Sequence, residues 1–445
     1  MAISQRRVVT GAMWTIGTYV LTVGIRFVSN IILSRIVVPE VFGVLMIITT
    51  LKFGIELLTD VGIAQNVVRS KDGDKKSFQN TAWTLQFVRG LVLFGLLTMA
   101  AYPLSQIYQI PASAIQLSGL TLVILGAAST SIYYLQRQMQ LMRMNLFDLA
   151  VDAVSAVLVV GLALINPTVW SIIAANLLGA AFRATLSYAL PRARNWFEWN
   201  RAHVEEVLSF GKWIFLSSIL SFLCMNFDKL FLAQSLPLAV VGVYAIARTI
   251  ADLPSALIGR ISYQLVFPLI AAHAGETRAA LRRHVGSLRL KLLLGAAFCM
   301  AFGISVADIA TEIIYDSRYH EAGWMLAMLL VGIWFSIVCT VNDYMLLGLG
   351  KPVYAVIGNS LKLAGLVALT PVASAWMGLP GAIMAISACE LFRYLPVVYG
   401  QWREQISFVR QDVLVNAALV AFLALFLFVR LETGFGTPFD AIPGF

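Results

Sequence analysis

The chain has 445 residues, of which 59% are hydrophobic and only 12% charged, and a net charge of +9. Soluble domains carry about 25% charged residues, so this composition excludes a water-soluble enzyme and points to a polytopic membrane protein. The surplus of Lys and Arg reads as topology control rather than nucleic-acid binding, because such residues hold cytoplasmic loops in place.

From the N-terminus, Arg6 and Arg7 precede a long apolar run with no small-residue cleavage site after a short core. That pattern predicts a retained signal-anchor helix with its N-terminus inside. Apolar spans follow at about 11–34, 41–63, 79–104, 114–136, 147–165, 168–190, 210–233, 238–269, 290–314, 323–348, 353–377, 380–400 and 413–430. Each is near the roughly 20 helical residues that cross a bilayer core. The span 238–269 is overlong and is expected to tilt, or to kink at Pro254. The longest polar connection, about 271–289, is too short for a soluble domain. Alternating the spans from an inside N-terminus puts eighteen Lys and Arg in inside segments. Only Arg35, Arg318 and Arg430 fall outside. The bias supports this orientation.

Several charges stand where lipid should forbid them. Arg26 lies deep in the first span, and Lys52, Glu56 and Asp60 follow at i, i+4 and i+8 in the second, on one helix face. A charge at mid-bilayer costs about 2.5–3.5 kcal/mol. The row is therefore expected to face protein or a water-filled cavity. Arg89, Arg248, Arg260 and Lys362 are further intramembrane cations, while Arg183 sits near the inner end of span six, where it can snorkel. The acidic set is Glu56, Asp60, Asp228, Asp252, Asp343 and Glu390. These serve either ion coupling or charge pairing. Lys52 with Glu56, Arg248 with Asp252, and Glu390 with Arg393 have the spacing of neutralising pairs. Asp60 is the expected cross-helix partner of Arg26 or Arg89. Asp308 and Glu312, at the outer end of span nine, are expected to be solvated.

Cys224, Cys299, Cys339 and Cys389 all lie in apolar segments and read as small buried hydrophobes. His203, His273, His284 and His320 fall in loops or rims, and no metal or nucleophile spacing is present. Tyr133, Tyr134 and Trp376 stand near span ends, as interfacial belt residues do.

The chain also repeats itself at an offset near 200 residues. Gly11 and Trp14 correspond to Gly211 and Trp213, and Pro39 and Gly43 to Pro237 and Gly242. Six spans separate the copies, an even number, so the halves run parallel. Two six-helix bundles are expected, about an axis along the membrane normal. The expected parts are an N-terminal lobe at 1–190, a cytoplasmic linker at 191–209, a C-terminal lobe at 210–402, and an additional helix and tail at 403–445.

The string Ser34-Arg-Ile-Val-Val-Pro-Glu-Val-Phe-Gly43 resembles the first turn of the Wzx-type oligosaccharide-lipid flippases of the polysaccharide transporter family. Phe210-Gly-Lys-Trp213 with Asp228-Lys-Leu230, then Val241 to Ala247 followed by Pro254, then Phe267-Pro268, match the same pattern. The resemblance covers about residues 5–400. It implies a MATE-like, all-α fold of two six-helix bundles, here with an extra C-terminal helix. It also implies alternating access, a cationic central cavity and an undecaprenyl-diphosphate-linked oligosaccharide as cargo. In the lipid II flippase of the same superfamily, arginines on helices one, two and eight line the cavity. By helix, this chain offers Arg26, Lys52, and Arg248 or Arg260. Lysine on the second helix is a departure, since an ammonium binds diphosphate less directionally than a guanidinium fork.

The expected function is thus a non-enzymatic inner-membrane flippase without a cofactor. Its coupling to Na+ or H+ is unassigned, and its partners are polymerase and glycosyltransferases of the same pathway. A MATE-like exporter of cationic drugs is the alternative, but it would want an acidic, aromatic pocket. A major-facilitator transporter fits less well, because 64–78 lacks a Gly-x-x-x-Asp-Arg pattern. A membrane glycosyltransferase would need a larger extramembrane loop.

Overall fold

A computed structural model describes residues 5–57, 62–138, 140–273 and 276–442. Every regular element among them is helical, and nine helices are long and apolar enough to cross a membrane, with a bent pair making a tenth. The chain forms two compact units, Met1–Ile219 with Ala233–Leu238, and Leu220–Leu232 with Ala239–Phe445.

The first unit contains α1 (Gln5–Ile36), α2 (Pro39–Leu57), α3 (Ile63–Arg69), α4 (Lys76–Tyr108), α5 (Ala112–Gly126), α6 (Ser131–Arg137), α7 (Leu141–Ile165) and α8 (Val169–Ser187). The turn between α1 and α2 falls in the Ser34–Gly43 string. Helix α1 packs on α7, α7 on α8, and α4 on α5. A Cβ on Gly90 of α4 would come within 2.6 Å of the Leu122 carbonyl of α5. Small residues let helices approach this closely in membranes. Helix α5 stops at Gly126, and α6 leaves it at 56°. The orphaned carbonyls at that break need donors. Gln86 Nε2 supplies them, donating to the Leu125, Gly126 and Ala128 oxygens at 3.2, 3.0 and 3.0 Å.

Helix α9 (Arg201–Ser235) carries the chain from one unit to the other, and it begins inside the segment expected to be a polar linker. The second unit adds α10 (Leu238–Ile261), α11 (Phe267–Ala272), α12 (Arg278–Ser305), α13 (Ala307–Ile314), α14 (Ala322–Gly348), α15 (Val353–Arg403) and α16 (Val409–Glu432). Helix α14 is buried along most of its length, with Trp324 and Trp334 fully buried, as the central helix of a bundle must be. It crosses α15 where a Cβ on Gly332 would meet Ser387 Cα at 2.6 Å. Helix α15 is 51 residues long but breaks at Gly378, with φ 62° and ψ −144°. Only glycine adopts that backbone readily. The break yields two spans, close to the expected 353–377 and 380–400.

Pro254 sits inside α10, and a π-helical turn at Ser262–Val266 interrupts the overlong span. Two expectations do not hold. Residues 278–289 are not a polar connection but the first turns of α12, capped by Thr277 Oγ1, which accepts from Ala280 N at 3.4 Å. Asp308 is not simply solvated. Arg430 grips its two carboxylate oxygens with Nη1 and Nη2 at 2.7 and 2.6 Å, and so clamps the end of α16 to the start of α13.

Helix α16 is held at its other end as well. Arg289 of α12 and Asp412 of α16 form a fully buried ion pair. Arg289 also donates to Asn342 Oδ1 at 2.9 Å and to Gln411 Oε1 at 3.1 Å, and Tyr394 donates to Asp412 Oδ2 at 2.7 Å. Trp334 Nε1 donates to Asn416 at 2.7 Å. The last span is thereby an integral helix of the second unit.

Gly378→Ala should destabilise the protein by about 1–3 kcal/mol. No atom lies within 4 Å of the added carbon, so the loss would be conformational rather than steric. A lowered detergent melting temperature checks this; an unchanged one would mean that the break does not need glycine.

Candidate functional site

The densest collection of intramembrane charge lies within the second unit. Helix α9 brings Asp228; α10 brings Tyr244, Arg248 and Asp252, one turn apart; α14 brings Ser336 and Asp343; and the two halves of α15 bring Lys362, Glu390 and Arg393. Tyr244 donates to Asp228 Oδ2 at 2.5 Å. Arg248 Nε lies 3.5 Å from Asp228 Oδ2 and 3.2 Å from Asp252 Oδ1. Lys362 Nζ donates to Glu390 Oε1 at 2.5 Å. Arg393 donates to Asp343 Oδ2 at 2.5 Å and stands 3.9 Å from Glu390 Oε2. Arg393 also donates to Ser336 Oγ at 3.4 Å.

Part of this network lines a narrow crevice, walled by Cys224, Asp228, Arg248, Lys362, Ser387 and Glu390 among others. Three cations face four carboxylates. Breaking a buried pair by removing one partner costs about 3–5 kcal/mol, so each charge depends on the others. The network is not saturated. Glu390 Oε2 and Asp343 Oδ1 accept no hydrogen bond among the described residues. The Arg289–Asp412 pair differs, since every oxygen of Asp412's carboxylate is engaged.

The i, i+4 pair Arg248–Asp252 forms as its spacing predicts. The i, i+3 pair Glu390–Arg393 is the long contact of its group; both members hold closer partners on other stretches of chain. Arg260 stands twelve residues past Arg248, about 18 Å along α10, and does not line the crevice.

In the first unit, Arg89 Nη2 donates to the Glu56 carbonyl at 2.5 Å. Glu56, Arg89, Gln86, Phe53 and Tyr133 line a second crevice with about 660 Å³ of empty space. Tyr133 donates to Gln86 Oε1 at 3.2 Å, so it is a wall residue rather than a belt residue. Lys52 is half-buried on α2, one turn before Glu56. Asp60 lies outside the described residues. Arg26 is exposed on α1 and pairs with Asp152 of α7 at 2.8 Å, not the partner expected for it. Arg183 pairs with Asp148 at 2.9 Å.

Reasoning from the chain alone overlooked Tyr244, Asp152 and the Arg289 network. Tyr244 carries no charge to flag it. Asp152 lies 126 residues from Arg26. Arg289 closes a run of basic residues that reads as loop.

Helices of this length and number, with their glycine-mediated crossings, define a multi-pass membrane protein. The fold is that of the MATE-like transporters. The lipid II flippase MurJ in an inward closed conformation superimposes with a TM-score of 0.75 at 11% identity, over 95% of this chain and 93% of that one. An inward-facing multidrug resistance MATE transporter of the MOP superfamily gives 0.62 at 17% identity, over 90% and 94%. Residues 32–323 match the family described as polysaccharide biosynthesis protein, and the chain belongs to that family. The succinoglycan biosynthesis transport protein ExoT of Rhizobium meliloti (strain 1021) is 22% identical over 78% of this chain and 71% of its own length. The lipopolysaccharide biosynthesis protein WzxC of Escherichia coli (strain K12) is 23% identical over 61% of this chain and 56% of its own length.

Lys362→Met should cost about 3–5 kcal/mol by stranding Glu390, whereas Lys362→Met with Glu390→Leu should recover most of that loss. Melting of the single and double variants in detergent checks it. Losses that simply add would show that the two residues are not coupled.

Proposed function

We propose that this protein flips an undecaprenyl-diphosphate-linked oligosaccharide repeat unit across the bacterial inner membrane by alternating access, with its N-terminus cytoplasmic. The observation that carries this reading is the set of cations held inside apolar helices by exchangeable carboxylates. A diphosphate crossing an apolar slab needs cationic partners along its way. Arg26, Lys52 and Arg89 are offered by the first unit, and Arg248, Arg260 and Lys362 by the second. At rest their charge is met by resident groups, as Glu390 meets Lys362. An arriving diphosphate takes over the cations, and the released carboxylates take up a proton or Na+. Glu56, Asp60, Asp228, Asp252, Asp343 and Glu390 form the pool for that coupling. Family membership and the polysaccharide pathways named for the relatives support the glycan cargo. Polymerase and glycosyltransferases acting on the same lipid-linked glycan are the matching partners.

A second reading, a cation-coupled exporter of small cationic molecules, draws on one observation. In the second-unit charge network four carboxylates, Asp228, Asp252, Asp343 and Glu390, stand with three cations, Arg248, Lys362 and Arg393.

The two are separated by substituting Arg26, Lys52, Arg89 and Lys362 singly with alanine. Each charge-assisted contact to phosphate is worth about 1.5–3 kcal/mol. Polysaccharide export should therefore fall about tenfold or more at equal surface expression, with lipid-linked repeat units accumulating inside. Full export from all four variants, or efflux of cationic dyes by the wild type, would overturn the flippase reading.

A further inference from the structure

The segment between α8 and α9 is not a slack tether. It runs without helix from residue 193 to residue 200 and is tied down along its length. Ser129 Oγ donates to the Ala193 carbonyl at 2.8 Å, and Asn195 Nδ2 donates to Thr130 Oγ1 at 3.0 Å. Trp196 N donates to Asn80 Oδ1 at 3.3 Å, and Glu198 N to Thr84 Oγ1 at 3.0 Å. The Glu198 carboxylate accepts from Ser77 Oγ and from Asn80 Nδ2, bonds that hold its pKa below the usual carboxylate value. Phe197 packs edge-on against Trp83 and Phe87, with ring centroids 5.2 and 5.7 Å apart.

This strap holds a basic crevice with about 1030 Å³ of empty space, lined by Asp74, Lys76, Tyr188, Leu190, Arg192 and Arg194, with Ala193. Lys76 Nζ donates to the Arg192 carbonyl at 2.8 Å, and Arg192 Nη1 to the Asp74 carbonyl at 3.1 Å. The Arg192 guanidinium also lies 4.8 Å from the Tyr134 ring centroid. Arg194 is exposed. The single acid, Asp74, is turned to other work. Its two oxygens accept from Arg137 Nε and Gln138 Nε2, both at 3.1 Å. Three cations thus face the crevice without a carboxylate committed to them among the described residues. Tyr188 and Leu190 give it an apolar wall. Its level in the membrane follows from the spans that end there. Lys76 opens one spanning helix, and Ser187 closes another. Both are ends of apolar helices, where a membrane–water boundary is met. Trp196 and Trp199, 70% and 62% exposed, stand on the same strap. Tryptophan favours that interface.

We infer that the crevice is a binding site for the headgroup of an anionic glycerophospholipid, with Lys76, Arg192 and Arg194 on the phosphate and the acyl chains leaving past Tyr188 and Leu190. The site lies at one end of the first unit and does not depend on the cargo proposed above.

The test uses the full-length protein in phosphatidylcholine nanodiscs containing increasing amounts of brominated phosphatidylglycerol. Trp196 lies two residues from Arg194, about 7 Å along extended chain, so its quenching reports the site. The signal is taken as the difference between wild type and a W196F control. Quenching by phosphatidylglycerol should saturate, and Arg194→Glu should move its midpoint about tenfold or more, since each basic group near an anionic surface is worth about fivefold. The Arg192→Lys/Arg194→Lys variant should keep the wild-type midpoint. Because Arg194 is exposed, its reversal leaves the fold intact, which an unchanged melting temperature verifies. Equal midpoints for wild type and Arg194→Glu would overturn the site. So would equal quenching by brominated phosphatidylcholine. Displacement of the lipid by sodium pyrophosphate would overturn it too, making the crevice a site for soluble diphosphate.

Discussion

The structure depends on one constraint: a charge inside an apolar slab must find an opposite charge, because water is not there to solvate it. The price is about 2.5–3.5 kcal/mol for each unmet charge at mid-bilayer. This chain meets it mostly between helices, with Arg248–Asp252 the pair that forms along one. Arg26 is answered by Asp152, Arg183 by Asp148, Lys362 by Glu390 and Arg393 by Asp343. Each such pair welds two helices as it neutralises them, so electrostatics and packing become one problem.

The two buried networks of the second unit solve that problem differently. Around Arg289 both oxygens of the Asp412 carboxylate are engaged, only Asn342 Nδ2 is left over, and a guanidinium ties α12, α14 and α16 into one block. Around Lys362 and Arg393 the matching is incomplete, with an open crevice at hand and carboxylate oxygens left over. The first arrangement suits an anchor. The second suits groups that change partners, which is what transport of an ion requires of its binding residues. The nearly saturated and the unsaturated networks thereby lie in separate places within a single bundle.

How much of this could be read from the chain follows from what each feature needs. Helical spans need only a local apolar window, so among the described residues the expected spans fall on helices, including the pair divided at Gly378. Near-neighbour charge pairs need only a turn of helix, and Arg248 with Asp252 was legible for that reason. Arg26 with Asp152, or Lys362 with Glu390, needs knowledge of which helices touch, and no local pattern contains it. Arg289 was hidden by its company: in a row with Arg278, Arg282 and Arg283, it looked like a loop charge, although two more turns of helix carry it into the core. In the overlong span the chain offers a tilt or a kink at its proline, because proline is the visible disruptor. Nothing in Ser262-Tyr-Gln-Leu-Val266 announces a widened turn.

That widened turn makes residue count itself a constraint. A π turn is an α-helix holding one residue too many, and everything after it is rotated by about 100° relative to an uninterrupted helix. The rotated stretch seats Ile270 against Gly348, where a Cβ would come within 2.7 Å of it. Shortening the segment by a single residue would leave a regular helix and an equally apolar span, yet it would aim the wrong side chains at α14. Length in this short stretch is therefore under tighter control than its composition.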